Sequence, residues 1–185
     1  MKGGTGVNLI SMVEVSRWFE RKFLLDLPIS LYPNIVERLR GVPARLEDRL
    51  LQIKSEILTQ KQEENWSIQE HAGHLLDLES LNMGRLDDFE EGLESLRPAD
   101  LQNRKTYEAN HNRAPIQSLL QQFRQERTIF VLRLEKYDVP LVSRSAVHPR
   151  LQLPMRVIDL AFFIAEHDDH HLAKISGILR RLTEG

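Results

Sequence analysis

The chain has 185 residues, of which 41% are hydrophobic and 28% charged, a size and composition typical of one globular domain and too apolar for a disordered chain. Its 25 basic and 27 acidic residues nearly cancel and neither sign forms a long block, so nucleic acid and membranes are not expected partners. The absence of cysteine excludes disulfides, thiolate ligands and a thiol nucleophile belonging to the protein. No apolar run reaches the ~20 residues that cross a bilayer and the start lacks a signal-peptide pattern, so we expect a cytoplasmic protein with a single domain over residues 1–185.

The first predicted helical region extends from Ser16 to Gln60, after a glycine-rich start that we expect to be flexible over residues 1–10. Leucine, isoleucine and phenylalanine recur along the chain at intervals of three and four, while alternating β-branched runs are missing, which predicts an all-α protein. Proline interrupts a helix because it lacks an amide donor and clashes with the preceding turn. Three prolines therefore divide the first region: Pro28, Pro33 and Pro43. A short or bent helix is therefore predicted at Leu31 to Leu39, and a longer helix after Pro43, at Ala44 to Thr59.

The second predicted helix has the clearest start in the sequence. Ser67-Ile68-Gln69-Glu70 is a capping box, in which the serine hydroxyl and the glutamate carboxylate satisfy amide groups of the first turn. The helix is expected to run to about Leu96, where Arg97-Pro98 stops it. The polar segment from Ala99 to Arg113 is assigned to a loop that crosses over to the next helix or covers a site.

The third and fourth predicted helices are also bounded by prolines. Pro115 opens the third helix, which ends near Asp138-Val139-Pro140. The segment from Pro149 to Pro154 is expected to be a connection. The fourth helix, from about Met155 to Leu182, carries the densest apolar face.

Histidines are clustered on two of the predicted helices. There are seven, at positions 71, 74, 111, 148, 167, 170 and 171. At about 100° per residue, His171 falls within the apolar stripe of the last helix and His167 at its edge, while His170 falls outside. Two uncharged imidazoles one turn apart can share a metal ion, whereas two protonated ones would repel each other in a core. The spacing therefore indicates a metal site.

On the second helix the periodicity does not choose the third ligand. His71 lies nearer the centre of the apolar stripe than His74, but His71 also occupies the position that packs against Trp66 at the start of the helix. From spacing alone, both histidines stay open as the third ligand.

The histidine clusters resemble those of a known family. Two stretches carry the resemblance: Trp66-Ser67-Ile68-Gln69-Glu70-His71-Ala72-Gly73-His74-Leu75 and Glu166-His167-Asp168-Asp169-His170-His171-Leu172. They are similar to the DinB/YfiT-like superfamily, over about Ile29 to Leu182, and the residues before Pro28 form a short N-terminal extension that fits the pattern less well. The resemblance implies His74, His167 and His171 as ligands of one divalent metal ion per chain, nickel or zinc. It also implies a four-helix bundle in up-down-down-up order, with a crossover between the second and third helices, and a homodimer.

Three imidazoles suit a transition metal and leave coordination positions for water or substrate. Because the family includes enzymes that transfer low-molecular-weight thiols, our first hypothesis is a metal-dependent transferase that activates such a thiol for attack on a small electrophilic substrate. The second is a metal-dependent hydrolase. The nucleophile would be a metal-bound thiolate in one case and a metal-bound water in the other. The third hypothesis is a non-catalytic module in which the metal fastens two helices.

Other residues have two interpretations each. Glu70 and Asp168 are candidates to orient the ligating imidazoles, against a capping role for Glu70 and a solvated face for Asp168. His170 is predicted at the rim or an interface, His148 is expected to be unrelated to the site, and Trp66 is assigned to the core. Loop residues that could reach the site or simply face water are Asn110, His111 and Asn112. Arginines that could attract an anionic substrate or simply lie scattered on the surface are Arg144, Arg150 and Arg156.

Overall fold

Four helical segments pack together in the part of the chain that the computed structural model describes, residues 13–61 and 65–183. Residues 1–10, which we expect to be flexible, lie outside the described residues. The first helical segment is broken into α1 (Tyr32–Arg40), α2 (Val42–Leu50) and α3 (Ser55–Leu58), and the other three are the long helices α4 (Ile68–Glu91), α6 (Ile116–Leu134) and α8 (Val157–Thr183).

Proline positions explain the division of the first segment. Pro33 and Pro43 lie in the first turns of α1 and α2, where the missing amide hydrogen costs nothing. The prediction of one helix from Ala44 to Thr59 is wrong. The chain leaves the helix after Leu50, and the extended backbone at Lys54, with ψ 142°, separates α2 from α3.

Ion pairs along the helices give their relative directions. Arg127 of α6 pairs with Glu79 of α4, and six residues later Arg133 pairs with Glu90. Positions therefore increase together along the two helices, so α4 and α6 are parallel. Two parallel neighbours in sequence require the predicted crossover connection between them.

The last helix runs against α4. His71 contacts His171, while His74, further along α4, also contacts His167, which is earlier in α8. The order of contacts is reversed, so α4 and α8 are antiparallel.

The first segment runs with the last helix. Arg38 of α1 pairs with Glu166, and Arg49 of α2 donates to Ser176, so both helices advance in the same direction. Together the four segments have the up-down-down-up order that the family resemblance implies. The predicted four-helix bundle is confirmed.

Two apolar clusters fill the ends of this bundle. One combines α1 with the later parts of α4 and α6 and the start of α8, and the other combines α2 with the earlier parts of α4 and α6 and the end of α8. Between them lies a buried polar layer, which includes Glu79, Arg127, Asp168, His74 and His171. Charged and titratable groups are costly to bury without partners, so this layer is where a function is expected.

Helix α4 ends earlier than predicted. Its C-cap is Gly92, with φ 72° in the left-handed region that glycine adopts without steric cost, so the helix stops at Glu91 rather than at about Leu96. Leu93, which directly follows this cap, is 44% exposed.

The segment from Ala99 to Arg113, predicted as loop, contains a helix. Asn103 and Asn110 both have positive φ, and between them lies α5 (Arg104–Ala109). A 3-10 turn follows at His111–Arg113. Asparagine tolerates the left-handed conformation, so two such residues can begin and end one short helix.

A two-stranded hairpin precedes the last helix. Strands β1 (Ser145–His148) and β2 (Leu153–Arg156) pair antiparallel, so the expectation of helices throughout is wrong here. Each strand has four residues, too few to produce a recognisable alternation. The third helix also ends earlier than predicted, at Leu134, and the short α7 (Val139–Val142) follows it, capped by the Asp138 carboxylate.

Among the described residues, none of the helices combines the length and the apolar character needed to span a bilayer.

Candidate metal centre

The start of α4 positions the first histidine pair. The Ser67 hydroxyl accepts from the Glu70 amide at 3.1 Å, and the Glu70 carboxylate accepts from the Ser67 amide at 2.8 Å, which confirms the predicted capping box. Glu70 also pairs with Lys61 at 2.9 Å. Its carboxylate is thus committed to the cap, and the alternative prediction that it orients a ligating imidazole is wrong.

On α8, His167 and His171 lie one turn apart and face each other. Their Nε2 atoms are 3.2 Å apart and their ring centroids 4.5 Å apart. The helical spacing alone produces this approach, since residues four apart lie above one another on one face.

His74 completes a group of three. Its ring centroid lies 5.4 Å from that of His167 and 4.9 Å from that of His171. One nitrogen from each of the three rings lies within 4.8 Å of the other two. The structure therefore brings together the three residues expected from the sequence, and their role as ligands stays a prediction.

Burial keeps the three imidazoles neutral. It lowers the pKa of His74 to about 4, with a smaller opposing effect of Asp77. Burial, reinforced by the neighbouring histidines, lowers the pKa values of His167 and His171 well below the ordinary value. At neutral pH each ring therefore has one nitrogen lone pair available for a metal ion.

The spacing of the nitrogens fits a small ion. Two nitrogens bound at ~2.1 Å to one tetrahedral ion lie ~3.4 Å apart, close to the 3.2 Å between His167 and His171. Neutral imidazoles without carboxylates are a donor set for zinc, nickel, cobalt or copper rather than for calcium or magnesium. The residues present thus fit one divalent transition-metal ion.

Thr106 of α5 orients His74. Its hydroxyl oxygen lies 3.0 Å from Nδ1 of His74. Although burial opposes ionisation of Asp77, hydrogen bonds from His111 and Thr106 lower the pKa of its carboxyl group below the ordinary value. With Nδ1–H of His74 donating to the Thr106 hydroxyl oxygen, Nε2 of His74 keeps the free lone pair. The sequence did not predict Thr106, since no motif marks this residue.

The loop before α6 reaches this region through side chains that pack on α4. His111 is buried and its Nε2 lies 2.8 Å from the Asp77 carboxylate, while Asn112 accepts a hydrogen bond from Ser67. Of the three loop residues that could reach the site or face water, His111 and Asn112 pack toward this region, whereas Asn110 is exposed.

His71 lies beside the group of three and contacts it from outside. Its Nδ1 is 2.9 Å from Nδ1 of His171, the nitrogen opposite the one that faces His167. Burial lowers the pKa of His71 to about 3, so this ring is neutral and can accept the Nδ1–H of His171. The geometry therefore gives His71 a positioning role and leaves His74 in the group of three.

Two tryptophans enclose the histidines. The Trp66 ring lies 4.7 Å from that of His74, so Trp66 is half-buried against the site rather than part of the apolar core. From the N-terminal extension, Trp18 lies 4.8 Å from His167 and 5.6 Å from His170. His170 is buried beneath it, so the prediction of a rim position is wrong, while the alternative of an interface position stays a prediction.

Asp168 belongs to a buried ion-pair network and not to the histidines. Its carboxylate lies 2.5 Å from Arg127, which also pairs with Glu79 at 2.7 Å. Burial raises the pKa of Asp168 to about 6 against the effect of Arg127. Both predicted roles for Asp168, orienting an imidazole and lying on a solvated face, are wrong.

A cavity of about 210 Å³ adjoins the histidines. His74 and His167 lie in its wall, together with Arg85, His148 and Arg150. Exposed residues, Phe19 and Leu101, also line it, so the cavity opens to the surface. The expectation that His148 is unrelated to the site is therefore wrong.

The other two candidate arginines have structural partners. Arg144 donates to the carbonyl of Phe89 at 2.9 Å, and Arg156 pairs with Asp159 at 2.7 Å. Of the three arginines considered for an anionic substrate, Arg150 is the one that lines the cavity.

Comparisons with known proteins agree with this architecture. No curated protein sequence matches the chain significantly. Among solved structures, YfiT from Bacillus subtilis is similar, with a TM-score of 0.72 and 20% identity over 88% of this chain and 94% of YfiT. YfiT is described as "a probable metal-dependent hydrolase with an unusual four-helix bundle topology". At this identity the likeness shows the fold. The model of the DinB superfamily matches residues 38–175, most of the chain, and the chain belongs to this superfamily.

Proposed function

We propose that the protein is a metal-dependent enzyme that holds one divalent transition-metal ion, nickel or zinc, through His74, His167 and His171. The proposal is supported by the convergence of one nitrogen from each ring within 4.8 Å and by the neutrality that burial imposes on the rings. Three protein ligands leave a transition metal with positions for a reactant.

The cavity favours a catalytic role of the metal ion over a purely structural role. A metal that merely fastens two helices needs no space beside it, and structural sites are closed by their protein ligands. Here His74 and His167 line a cavity of about 210 Å³ that reaches the surface. A small substrate entering it would come within reach of the three histidines.

The reaction we propose is transfer of a low-molecular-weight thiol. A bound ion would supply Lewis acidity that activates a nucleophile at neutral pH. The chain has no cysteine, so the sulfur must come from a small-molecule thiol. In the transfer, the S–H bond breaks and the sulfur bonds to an electrophilic carbon. In a substitution the bond from that carbon to the leaving group breaks and the leaving group takes the proton, whereas in an addition a π-bond of the electrophile breaks and the adduct takes the proton. Neutral His71, which contacts His171, and Thr106, which contacts His74, would hold the ligating rings in place.

A second candidate is hydrolysis with water as the nucleophile. It is favoured by the description of YfiT, a protein of the same fold, as a probable metal-dependent hydrolase. In that case ester or amide substrates would be cleaved without any thiol.

Turnover measured with and without thiols separates the two candidates. Protein loaded with zinc or nickel would be assayed with electrophiles in the presence of several low-molecular-weight thiols, and with esters and amides in their absence. We expect thiol-dependent product formation that is lost in His171→Ala and kept in Arg180→Gln, which changes an exposed residue of the same helix. Hydrolysis without thiol would instead support the second candidate. A stoichiometric metal with neither activity would contradict both.

A further inference from the structure

Three basic side chains line the cavity beyond the metal-binding histidines. Arg85 comes from α4, His148 from the end of β1, and Arg150 from the turn of the hairpin. Arg85 is 4% exposed and His148 2% exposed, so both are buried. The hairpin that the sequence did not predict is the element that brings two of them to the cavity.

Two of these groups present hydrogen-bond donors that have no partner. Nδ1 of His148 accepts from the Leu151 amide at 3.2 Å, so in the neutral ring the proton is on Nε2. Within the described part of the chain, neither Nε2 of His148 nor Nη2 of Arg150 has a hydrogen-bond partner, although both atoms are buried. A buried donor without a partner costs ~1–3 kcal/mol, which calls for an acceptor.

The positive charge of the two arginines is also only partly compensated, by the nearby Asp88 carboxylate for Arg85 and by the faces of Phe19 and Phe163 for Arg150. Among the described residues, no carboxylate lies at ion-pair distance from Arg85 or Arg150. Asp88, which is near Arg85, is paired with Arg97 at 2.7 Å. Burial lowers the pKa of Arg85 to about 10; Asp88 opposes this effect, and repulsion by Arg150 and Arg97 adds to it.

Acidic groups of the cavity wall do not neutralise the arginines. Asp168 is paired with Arg127, and Asp100 accepts from the Gln102 and Arg104 amides. Any bound divalent metal would add further positive charge to the same cavity. An anion is therefore the ligand that satisfies both the unpartnered donors and the charge.

We propose that Arg85, His148 and Arg150 form a subsite for an oxyanion, a carboxylate or a phosphate, carried by the substrate that reacts at the histidine site. That this anion belongs to a substrate rests on the proposed function. The wall between the basic groups and His167 includes the apolar residues Leu78, Phe163 and Ile164. The substrate class is therefore a small organic anion whose apolar part lies between its charged end and its reactive end.

Calorimetric titration of the full-length protein with inorganic phosphate and, separately, with acetate tests the subsite. We expect at least one of the two to bind saturably, and the one that binds identifies the anionic group. The neutral analogue acetamide is expected not to bind. Arg85→Gln and Arg150→Gln should each weaken binding by ~10-fold or more, since each removes a charge-assisted hydrogen bond. Arg150→Lys, which keeps the charge, should weaken it less.

Control variants distinguish the subsite from the metal centre. Arg180→Gln removes an exposed arginine outside the cavity and should leave binding unchanged. His171→Ala should also keep anion binding, because the subsite does not use the metal. If Arg85→Gln does not fold, as judged by thermal unfolding, the two variants of the partly exposed Arg150 decide the matter.

The subsite would be overturned by the absence of binding of either anion, or by binding that is unaffected by the arginine variants. Loss in His171→Ala alone would place the anion on the metal instead and would likewise refute the proposal. Arginine-dependent binding in a protein that retains no metal would leave the subsite standing while the proposed function fails.

Discussion

Thr106 holds the ring of His74 in place through a hydrogen bond to Nδ1. Groups that orient a ligating histidine typically contribute ~10–100-fold to metal affinity. We expect Thr106→Val to weaken metal binding by this factor, with little change in the thermal unfolding temperature, and Thr106→Ser to restore it. Competition with a chromophoric chelator measures the affinity. Thr128→Val, which alters an exposed hydroxyl on α6, serves as the control, and equal affinities in the two valine variants would contradict the role of Thr106.

His148 gives the stability a pH dependence in metal-free protein. Burial, reinforced by Arg85 and Arg150, lowers its pKa in the folded state to about 4, against ~6.5 in the unfolded chain. Unfolding between these two values takes up a proton, so the free energy of unfolding falls as the pH is lowered from ~6.5 to about 4, and His148 contributes no slope above ~6.5.

The variant His148→Gln isolates this contribution. Between pH 4 and 6.5 its unfolding free energy should fall less steeply than that of the wild type, by at most ~1.4 kcal/mol per pH unit. Urea denaturation in phosphate-free buffers measures both slopes. The other histidines contribute equally to both proteins, so identical slopes would refute a lowered pKa at His148.

At the residue scale, the spacing of the histidines along the sequence predicted only part of the site. The pair His167 and His171 could be placed because residues four apart share one helix face. The choice of His74 over His71 came from the family resemblance, because both lie near the same stripe. Thr106 could not be predicted, since its contact with His74 spans 32 positions and no sequence pattern links a threonine of the short helix α5 to a distant ring.

At the scale of elements, local signals predicted helix starts better than helix ends. The capping box at Ser67 and the prolines at 33 and 43 act within one turn, so they are readable from the sequence. The end of α4 depends on Gly92 adopting positive φ, and a glycine in the sequence does not reveal its conformation. The hairpin and α5 are too short to show a period.

Gly73 allows the loop before α6 to pack closely against α4. A Cβ atom at this position would lie 2.3 Å from the ring of His111, whereas one at Gly177 of α8 would have its nearest neighbour at 3.6 Å. We expect Gly73→Ala to destabilise the protein by ~1–3 kcal/mol through this clash and to weaken metal binding by displacing the α5 region. Gly177→Ala should instead stabilise it by up to ~1 kcal/mol, because alanine favours helix.

Urea denaturation and chelator competition on the two glycine variants test this contrast. Equal effects of Gly73→Ala and Gly177→Ala on stability would contradict the close packing of His111 against α4.

At the scale of the whole molecule, Arg127 joins three of the four helical segments in the polar layer between the two apolar clusters. It belongs to α6 and pairs with Glu79 of α4 and Asp168 of α8, all three fully buried. Removing one partner of a buried ion pair leaves an uncompensated charge, at a cost of ~3–5 kcal/mol. We expect Arg127→Met to lower the unfolding free energy by this amount.

Arg124, one turn earlier on α6, supplies the matched control. It is half-exposed and pairs with Glu47 at the surface, where ion pairs contribute less than ~1 kcal/mol. Arg124→Met should therefore have little effect in the same urea denaturation. Equal unfolding free energies of Arg127→Met and Arg124→Met would contradict the stabilising role of the buried network of Arg127, Glu79 and Asp168.

Elemental analysis of protein purified without chelators tests the central claim most directly, that three imidazoles from α4 and α8 hold one metal ion. We predict close to one nickel or zinc ion per chain, lost in His74→Ala, His167→Ala and His171→Ala and retained in His170→Ala. His71→Ala, which changes a positioning residue, should also retain the ion, with lower affinity. Full metal content in any of the first three variants, or no metal in the wild type even after incubation with both ions, would contradict the account.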